Sequence, residues 1–487
     1  MSRFQSKCGL DLGGISEMQH KENKFTKFFN NLNPLTLLFA LVLIVSLLTY
    51  IIPAGEYDRV VDEESGRTLV VPGTYHTIES NPATPITFFM SFDAGLNSAS
   101  SIISFLLLIG GALGVISSTG AIESALGLMV KKFGSDRSRG VIIAGIMFFF
   151  MFCSSSFGMG QEMMAFAPFV TVLMVRLGFD TVTAIGSMLL GYAIGYGCGF
   201  LNPFNLAVAQ EICGLPYPSG MAFRIVLSLI LYAVALVYML RYANRVHKNP
   251  AASLSPVVPE ELKGDVSSDV PVTAGHIRVW VVFIVGLVFL IWGAVAKGFY
   301  LSEISTIFLC IGLLAGLVNG YGLNKIFSAF SKGAKDMAIP CLIIGFAMAI
   351  TYILNSAGIL DSIVYYLSLM LQGLPTVISA GAMVLVHTVL NFFINSGSTK
   401  AATTMPIMSP LAQILGINQQ VAVLAFQLGD GLSNILWVTS GTLMIGLGIT
   451  KINYLQWFKF VSKIFLIMLA IGIAAVMFAQ VINWGPF

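Results

Sequence analysis

Asn395-Ser396-Gly397-Ser398-Thr399-Lys400-Ala401-Ala402-Thr403-Thr404 interrupts an apolar stretch that runs from 376 to 416. Ser154-Ser155-Ser156-Phe157-Gly158-Met159-Gly160-Gln161-Glu162 interrupts another, from 140 to 177. Hydroxyl and amide side chains compete for backbone hydrogen bonds and glycine loosens the chain, so such clusters favour a turn over a continuous helix. Each stretch reads as a helical hairpin with the polar cluster at its tip. The surroundings follow from composition: 487 residues, 56% hydrophobic and only 10% charged, with a mean hydropathy of +0.85. A soluble chain of this length needs far more charge to cover its surface, so the main solvent is lipid. Irregular backbone inside a bilayer persists only where protein or a wet cavity meets its N–H and C=O groups. Both tips are therefore expected to be enclosed and to line something polar.

Apolar runs able to cross about 30 Å of hydrocarbon predict about nine transmembrane helices. They lie near 31–52, 101–119, 181–213, 221–241, 277–297, 303–320, 338–356, 419–449 and 460–483. The net charge of +3 says little until the charges are placed. With the N-terminus in the cytoplasm, the inner side receives the basic residues from Arg3 to Lys27, the run Lys131 to Arg139, Arg176, and the segment Arg241 to Arg278. It also receives Lys325, Lys332, Lys335, Lys451, Lys459 and Lys463, leaving Arg59, Arg67, Arg224, Lys297 and Lys400 for the outside or the membrane. This satisfies the positive-inside rule if both hairpins are re-entrant. Counting either as two full spans keeps the same parity, and it is the polar midpoints that favour hairpins. The loop 54–85, with Glu56, Asp58, Asp62, Glu63 and Glu64, suits the outer face.

The expected organisation is a cytoplasmic tail (1–30), a first half (31–245) with hairpin 140–177 and broken helix 181–213, and a cytoplasmic linker (246–276). A second half (277–487) follows, with hairpin 376–416, broken helix 419–449 and a periplasmic C-terminus. No cleavable signal peptide is evident in the first 30 residues, and Met18 is an alternative start. Six cysteines without a CxxC pair read as packing residues.

The two halves match at a shift of 238 residues. Phe92-Asp93-Ala94-Gly95 falls on Phe330-Ser331-Lys332-Gly333, Gly120-Ala121-Ile122-Glu123 on Gly358-Ile359-Leu360-Asp361, and Leu190-Gly191-Tyr192 on Leu428-Gly429-Asp430. A four-residue slip aligns the two hairpin tips. The topology makes equivalent pieces run oppositely through the membrane. Inverted repeats of this kind are the ground plan of many secondary transporters, which bind substrate at the repeat interface near the midplane.

Four segments carry the chemistry: the two tips, the run Gly195-Tyr196-Gly197-Cys198-Gly199-Phe200-Leu201-Asn202-Pro203-Phe204-Asn205, and the pair Asp430-Gly431-Leu432-Ser433-Asn434 and Thr439-Ser440-Gly441-Thr442. Ends of interrupted helices offer oriented N–H donors to a carboxylate, while hydroxyls and amides can hold a cation or an amine. One such cluster is ordinary helix packing; four at repeat-related positions point to a binding site. Glu162, Lys400 and Asp430 fall within these segments, and intramembrane charges are usually functional. Two acids against one base suit a substrate with an amine, although Lys400 can also serve as a structural ion-pair partner. Glu123 and Asp361 follow glycines at helix starts and read as helix-start charges. His387, in a hairpin arm, reads as a satisfied buried histidine or as a proton-coupling group. No HExxH, GxSxG or GxxxxGK[ST] is present, so an enzyme or an ATP-driven pump is not expected.

Asn33-Pro34-Leu35-Thr36, Ile52-Pro53-Ala54-Gly55-Glu56-Tyr57-Asp58-Arg59 and Val71-Pro72-Gly73-Thr74-Tyr75-His76, with the two tips and the run 199–205, resemble the YfcC family. That family belongs to the DcuC-like anaerobic carriers of the ion transporter superfamily. The resemblance covers nearly the whole chain after residue 30. It implies an elevator-type carrier, dimeric, with a scaffold and a mobile domain holding both hairpins. It also implies exchange of basic amino acids, arginine for ornithine, or carriage of four-carbon dicarboxylates.

The expectation is thus an all-α polytopic protein of the bacterial inner membrane that exchanges a basic amino acid. A dicarboxylate carrier driven by Na⁺ or H⁺ is the alternative and a channel a distant third. Ser155, Ser156, Ser398 and Thr399 would hold the substrate carboxylate, and Glu162 or Asp430 its amine. Asn202, Asn205 and Asn434 would complete the cavity, with Lys400 as counter-charge in the dicarboxylate reading. No cofactor, metal or nucleic acid is expected; lipid, a small solute and a second copy of the chain are the expected partners.

Overall fold

The computed structural model describes residues 34–61, 68–71, 73–122, 124, 136–255, 272–297, 299, 301–371 and 373–485. The tail 1–30, most of the linker 246–276, Glu123 and the basic run 131–135 lie outside the described residues.

In chain order the helices are α1 (Pro34–Leu48), α2 (Pro85–Ser98), α3 (Ser100–Ser118), α4 (Asp136–Phe157), α5 (Ala167–Arg176), α6 (Thr181–Gly197), α7 (Leu206–Ile212) and α8 (Met221–Lys248). They continue as α9 (Ala274–Lys297), α10 (Leu301–Val318), α11 (Leu323–Asp336), α12 (Ala338–Ser356) and α13 (Leu360–Leu369). The last are α14 (Thr376–Phe393), α15 (Gly397–Ile414), α16 (Gln419–Gly431), α17 (Gly441–Thr450) and α18 (Tyr454–Val481). Every expected span coincides with a helix or a pair of them. Among the described residues, six helices are long and apolar enough to cross a membrane by length and composition: α3, Arg139–Ser156 within α4, α8, α12, α14 and α18. Two of these, α4 and α14, are the first arms of the expected hairpins. At 1.5 Å per residue the 22 residues of α4 reach about 33 Å, of which the first turn, Asp136 to Arg139, is polar.

Repeat-related positions take the same structural roles. Gly191 on α6 lets the first arm α4 approach until an added methyl would overlap the Met147 carbonyl. Its equivalent, Gly429 on α16, does the same for α14, where the methyl would strike His387 Cβ and Val384 O. Gly95 of α2 lies against the Gly345 carbonyl of α12, and Gly333 of α11 against the Gly110 carbonyl of α3, so each half lends its short helix to the other. The returning arms also exchange partners: α5 and the 3₁₀ turn Gln161–Phe166 pack on α17, while α15 packs on α7. Gly120 and Gly358 both have positive φ, +77° and +63°. Cross-packing of this kind is what a pseudo-two-fold relation between halves produces.

The two broken helices form the centre. Every residue of α6 is buried, and so are Gln420 to Gly431 of α16. A helix apolar and covered all round belongs inside the bundle rather than at its lipid face. They cross at glycines, where a methyl on Gly431 would overlap the backbone of Gly197.

The loop between α1 and α2 departs from the all-helical expectation. It folds into two antiparallel ribbons, Gly55–Glu56 with His76–Thr77 and Arg59–Val61 with Thr68–Val70. The ribbons are docked on the start of α13: Arg59 Nη2 lies 2.7 Å from Asp361 Oδ2, the Tyr57 N–H donates to the same oxygen, and Tyr75 stacks on Tyr365 at 4.0 Å. Burial, and next the Asp361 charge, raise the Tyr57 phenol above its ordinary pKa. Asp361 is thus a first-turn acid, as expected, and also the anchor of this loop.

Gly431→Ala is expected to destabilise the protein by about 1–3 kcal/mol, because neither backbone at the crossing can yield to a methyl. Gly145→Ala on α4, where an added methyl meets nothing within 4 Å, should be neutral or stabilising by about 0.5 kcal/mol. Thermal unfolding of the detergent-solubilised variants reads both. A Gly431→Ala protein as stable as the parent removes the crossing as a fixed contact.

Candidate substrate-binding site

The helix interruptions expected from sequence are present but tighter than the polar clusters that announce them. The first tip breaks at 158–160, so Ser154, Ser155 and Ser156 still belong to α4. The second breaks at 394–396, so Ser398 to Thr404 lie in α15. The first broken helix stops at Gly197 and restarts at Leu206; the second passes through a 3₁₀ turn (Leu432–Ile435) and restarts at Gly441.

At the second tip, four chain ends meet around one ion pair. Lys400 Nζ, fully buried, lies 3.3 Å from Asp430 Oδ1 and 3.3 Å from Asn391 Oδ1, with the Phe426 ring centroid 5.5 Å away. The other Asp430 oxygen accepts from Asn205 Nδ2 at 3.3 Å, and that amide also reaches the Tyr196 carbonyl at the end of α6. Asn391 Nδ2 donates to Asp430 O, Ser433 Oγ and Asn434 Oδ1, tying the first arm to the 3₁₀ turn. Asn434 in turn donates to the Tyr192 hydroxyl at 3.1 Å. Backbone groups freed by the breaks are thereby met by side chains, as a water-free setting demands.

The first tip is satisfied differently. Ser154 Oγ and Ser155 Oγ donate to the Tyr192 and Gly195 carbonyls, and the Leu201 N–H and Asn202 amide donate back to the carbonyls of Ser155 and Ser154. Asn202 Oδ1 accepts from the N–H groups of Phe204 and Asn205, a turn that starts α7. Glu162, buried at the opening of the 3₁₀ turn, accepts the Gly160 N–H at 2.7 Å. Among the described residues it has no ion-pair partner.

The structure therefore gathers Lys400, Asp430, Asn205 and Asn434 into one network and places Ser155 and Asn202 beside it, with Glu162 at the first tip. Ser156 bonds back to Phe152 O within its own helix. Ser398 and Thr399 make no side-chain hydrogen bond among the described residues, and Thr399 is exposed. His387 is buried edge-on to Phe426 at 5.2 Å, and no described residue bonds either ring nitrogen, so it is not the satisfied histidine expected. A largely apolar cavity of about 310 Å³ (Phe149, Phe150, Phe166, Phe283) borders the end of the 3₁₀ turn after the first tip, and a more polar one of about 400 Å³ is lined by Ser98, Thr351, Tyr352 and Asn355; Glu162, Lys400 and Asp430 line neither.

Sequence reasoning missed Asn391, Tyr192 and a second buried cation. Asn391 stands in the last turn of α14, four residues before the Asn395 that opens the tip, and an amide so close to the break is the signal that could have found it. Arg224, fully buried at the start of α8, donates to Gln427 Oε1 at 2.7 Å, to Ser219 O at 2.8 Å and to Gln420 Oε1. Gln427 carries on to Gly199 O and Asn205 Oδ1, so Arg224 reaches the Asp430 network through one glutamine. Gln420 and Gln427 are two turns apart on α16, a spacing that marks one face.

Apolar helices interrupted in pairs, their ends bonded to each other around buried charge, define a multi-pass membrane transporter. The chain belongs to the DcuC family: residues 33–481 match the family model described as C4-dicarboxylate anaerobic carrier. It is 32% identical to the "Putative basic amino acid antiporter YfcC" of Escherichia coli (strain K12), over 95% of this chain and 99% of that one. An uncharacterized protein of Haemophilus influenzae is 25% identical over 92% of this chain and 97% of its own length. Among solved structures, that of the Alcanivorax borkumensis YdaH transporter covers 93% of this chain and 99% of its own, at 14% identity and a TM-score of 0.43.

Arg224→Lys is expected to destabilise by at least ~2 kcal/mol, because an ammonium cannot span Gln427, Gln420 and Ser219 together and leaves buried acceptors unmet. Thermal unfolding tests this; a lysine variant of parental stability means that the fork geometry is dispensable.

Proposed function

We propose that the chain is an antiporter of basic amino acids of the arginine/ornithine kind, in a bacterial inner membrane. Glu162 carries the reading. Asp430 is already neutralised by Lys400, so Glu162 is the buried carboxylate at a tip left without a cation, and a cationic substrate group supplies one. The name of the E. coli relative supports the same substrate class. The substrate carboxylate is assigned to the N–H groups and hydroxyls of the tips, Ser155 and Ser156 on one side and Ser398 and Thr399 on the other. Asn202, Asn205 and Asn434 shape the cavity that opens when the tips part.

In this reading the two hairpins are re-entrant, nine helices span, and the hairpins and broken helices move together as the mobile domain of an elevator, in a homodimer. The N-terminus is cytoplasmic and the C-terminus periplasmic. The description of the family favours a second reading, carriage of a four-carbon dicarboxylate coupled to Na⁺ or H⁺. Against it, the one lysine at the tips is spent on Asp430, and a dianion beside Glu162 would be repelled.

Counterflow in proteoliposomes loaded with arginine, ornithine, lysine or succinate decides between them. Exchange of arginine for ornithine is expected, and Glu162→Gln should lower it roughly tenfold or more, the worth of one charge-assisted hydrogen bond. Succinate uptake without arginine exchange selects the second reading.

A further inference from the structure

We infer that the Lys400 ammonium is a tethered cation that permanently fills the place of a coupling ion, so that transport by this chain needs no Na⁺. Asp430 is fully buried among helix ends, where a carboxylate has to be neutralised by something. Short of protonating the acid, two solutions exist: a cation that comes and goes with each cycle, or one that is part of the chain. The groups around Lys400 Nζ are those a monovalent metal ion would use, a carboxylate oxygen (Asp430 Oδ1) and an amide oxygen (Asn391 Oδ1), each at 3.3 Å and each near the end of a different helix. Hard cations are held by such oxygens. Two of the three N–H bonds of the ammonium are met by these oxygens, and the Phe426 ring lies 5.5 Å from the charge, within cation–π range.

The placement of the lysine supports the same role. Lys400 sits in the first turns of α15, where the helix dipole disfavours a cation. Its position is explained by the acid it meets and not by its own helix. Asp430 belongs to α16 and Asn391 to α14, so the ammonium joins both arms of the hairpin to the broken helix. A mobile ion leaving this place would free those three elements from each other at every turnover. A tethered one keeps them as a unit and leaves the pair neutral whether or not substrate is bound. Coupling then falls to the substrates themselves, as exchange requires. This deepens the antiport reading in its transport arm and stands apart from it in its ion-binding arm.

Both arms use the full-length protein. In proteoliposomes at pH 8, counterflow by the parent is expected to be equal in NaCl, KCl and choline chloride. In detergent its melting temperature is likewise expected to be the same in all three salts. Lys400→Ala removes the ammonium and exposes the Asp430 and Asn391 oxygens. Its melting temperature should rise by several degrees when NaCl replaces choline chloride, and any counterflow it retains should require Na⁺. A parent whose counterflow or stability depends on Na⁺ overturns the inference, as does a Lys400→Ala protein that is stable and active in choline chloride. If Lys400→Ala does not fold, the parent's salt series decides alone. Absence of arginine exchange in every salt counts against the antiport reading only, because the melting series reads the cation without any substrate.

Discussion

A helix that stops inside lipid leaves four carbonyls or four N–H groups with nothing outside the protein to bond. This chain interrupts its helices at two tips and at two broken helices, and the fold bonds these ends to one another. Asn205, Asn391 and Ser433 then each bond a freed backbone group or the charge pair, and Asn434 links Asn391 to the Tyr192 hydroxyl. Scattered through the membrane, the same ends would each need a private partner. Gathered, they share a handful of amides, and the glycines at 197 and 431 allow the two broken helices to come close enough for that sharing.

The backbone repeats but the chemistry does not. Gly191 and Gly429 perform one task in the two halves, and the paired short helices α2 and α11 each lean on the other half's long helix. The charged residues of the tips and broken helices, Glu162, Lys400 and Asp430, have no such counterparts. Asp430 corresponds to Tyr192 at the repeat shift, and Lys400 corresponds to Gly158 when the tips are aligned. One tip is therefore closed by an ion pair, and the other by serine hydroxyls, backbone carbonyls and a lone glutamate. A symmetric scaffold with asymmetric charge can present the two ends of an asymmetric solute to different faces of the same cavity.

Much of this was legible in the sequence, and the reasons differ by element. The apolar runs located the helices, with ends up to seven residues off where polar turns extend them, as at 241–248 and 454–460. The breaks were legible from Gly, Asn and Pro in 195–205 and from the clusters at the tips. Their lengths were not, because Ser154 to Ser156 and Ser398 to Thr404 are compatible with helix once their hydroxyls find a neighbouring carbonyl or solvent. The ribbons of the 54–85 loop were missed, their strands being two or three residues long. The pairing of Lys400 with Asp430 was one of two possibilities on the page, and only three-dimensional proximity chooses between them. Arg224 was visible as a charge with no place in the topology. Its glutamine partners, 196 and 203 residues away, were not.

The bonding also separates what can move from what can stay. Polar contacts tie α4, α6, α7, α14, α15 and α16 into one body through Ser155, Asn205, Asn391 and Asp430, and Arg224 fastens α8 to it through Gln427. Between α2 and α12, and between α11 and α3, the close crossings are of glycine against backbone, with apolar side chains around them. Sliding along an apolar face exchanges one set of weak contacts for another, whereas parting the polar body would strip a buried carboxylate of its cation. Under the proposed alternating access, the hairpins and broken helices must therefore travel together. In that proposal substrate is released by parting the Glu162 tip, which no ion pair among the described residues holds, from its neighbours.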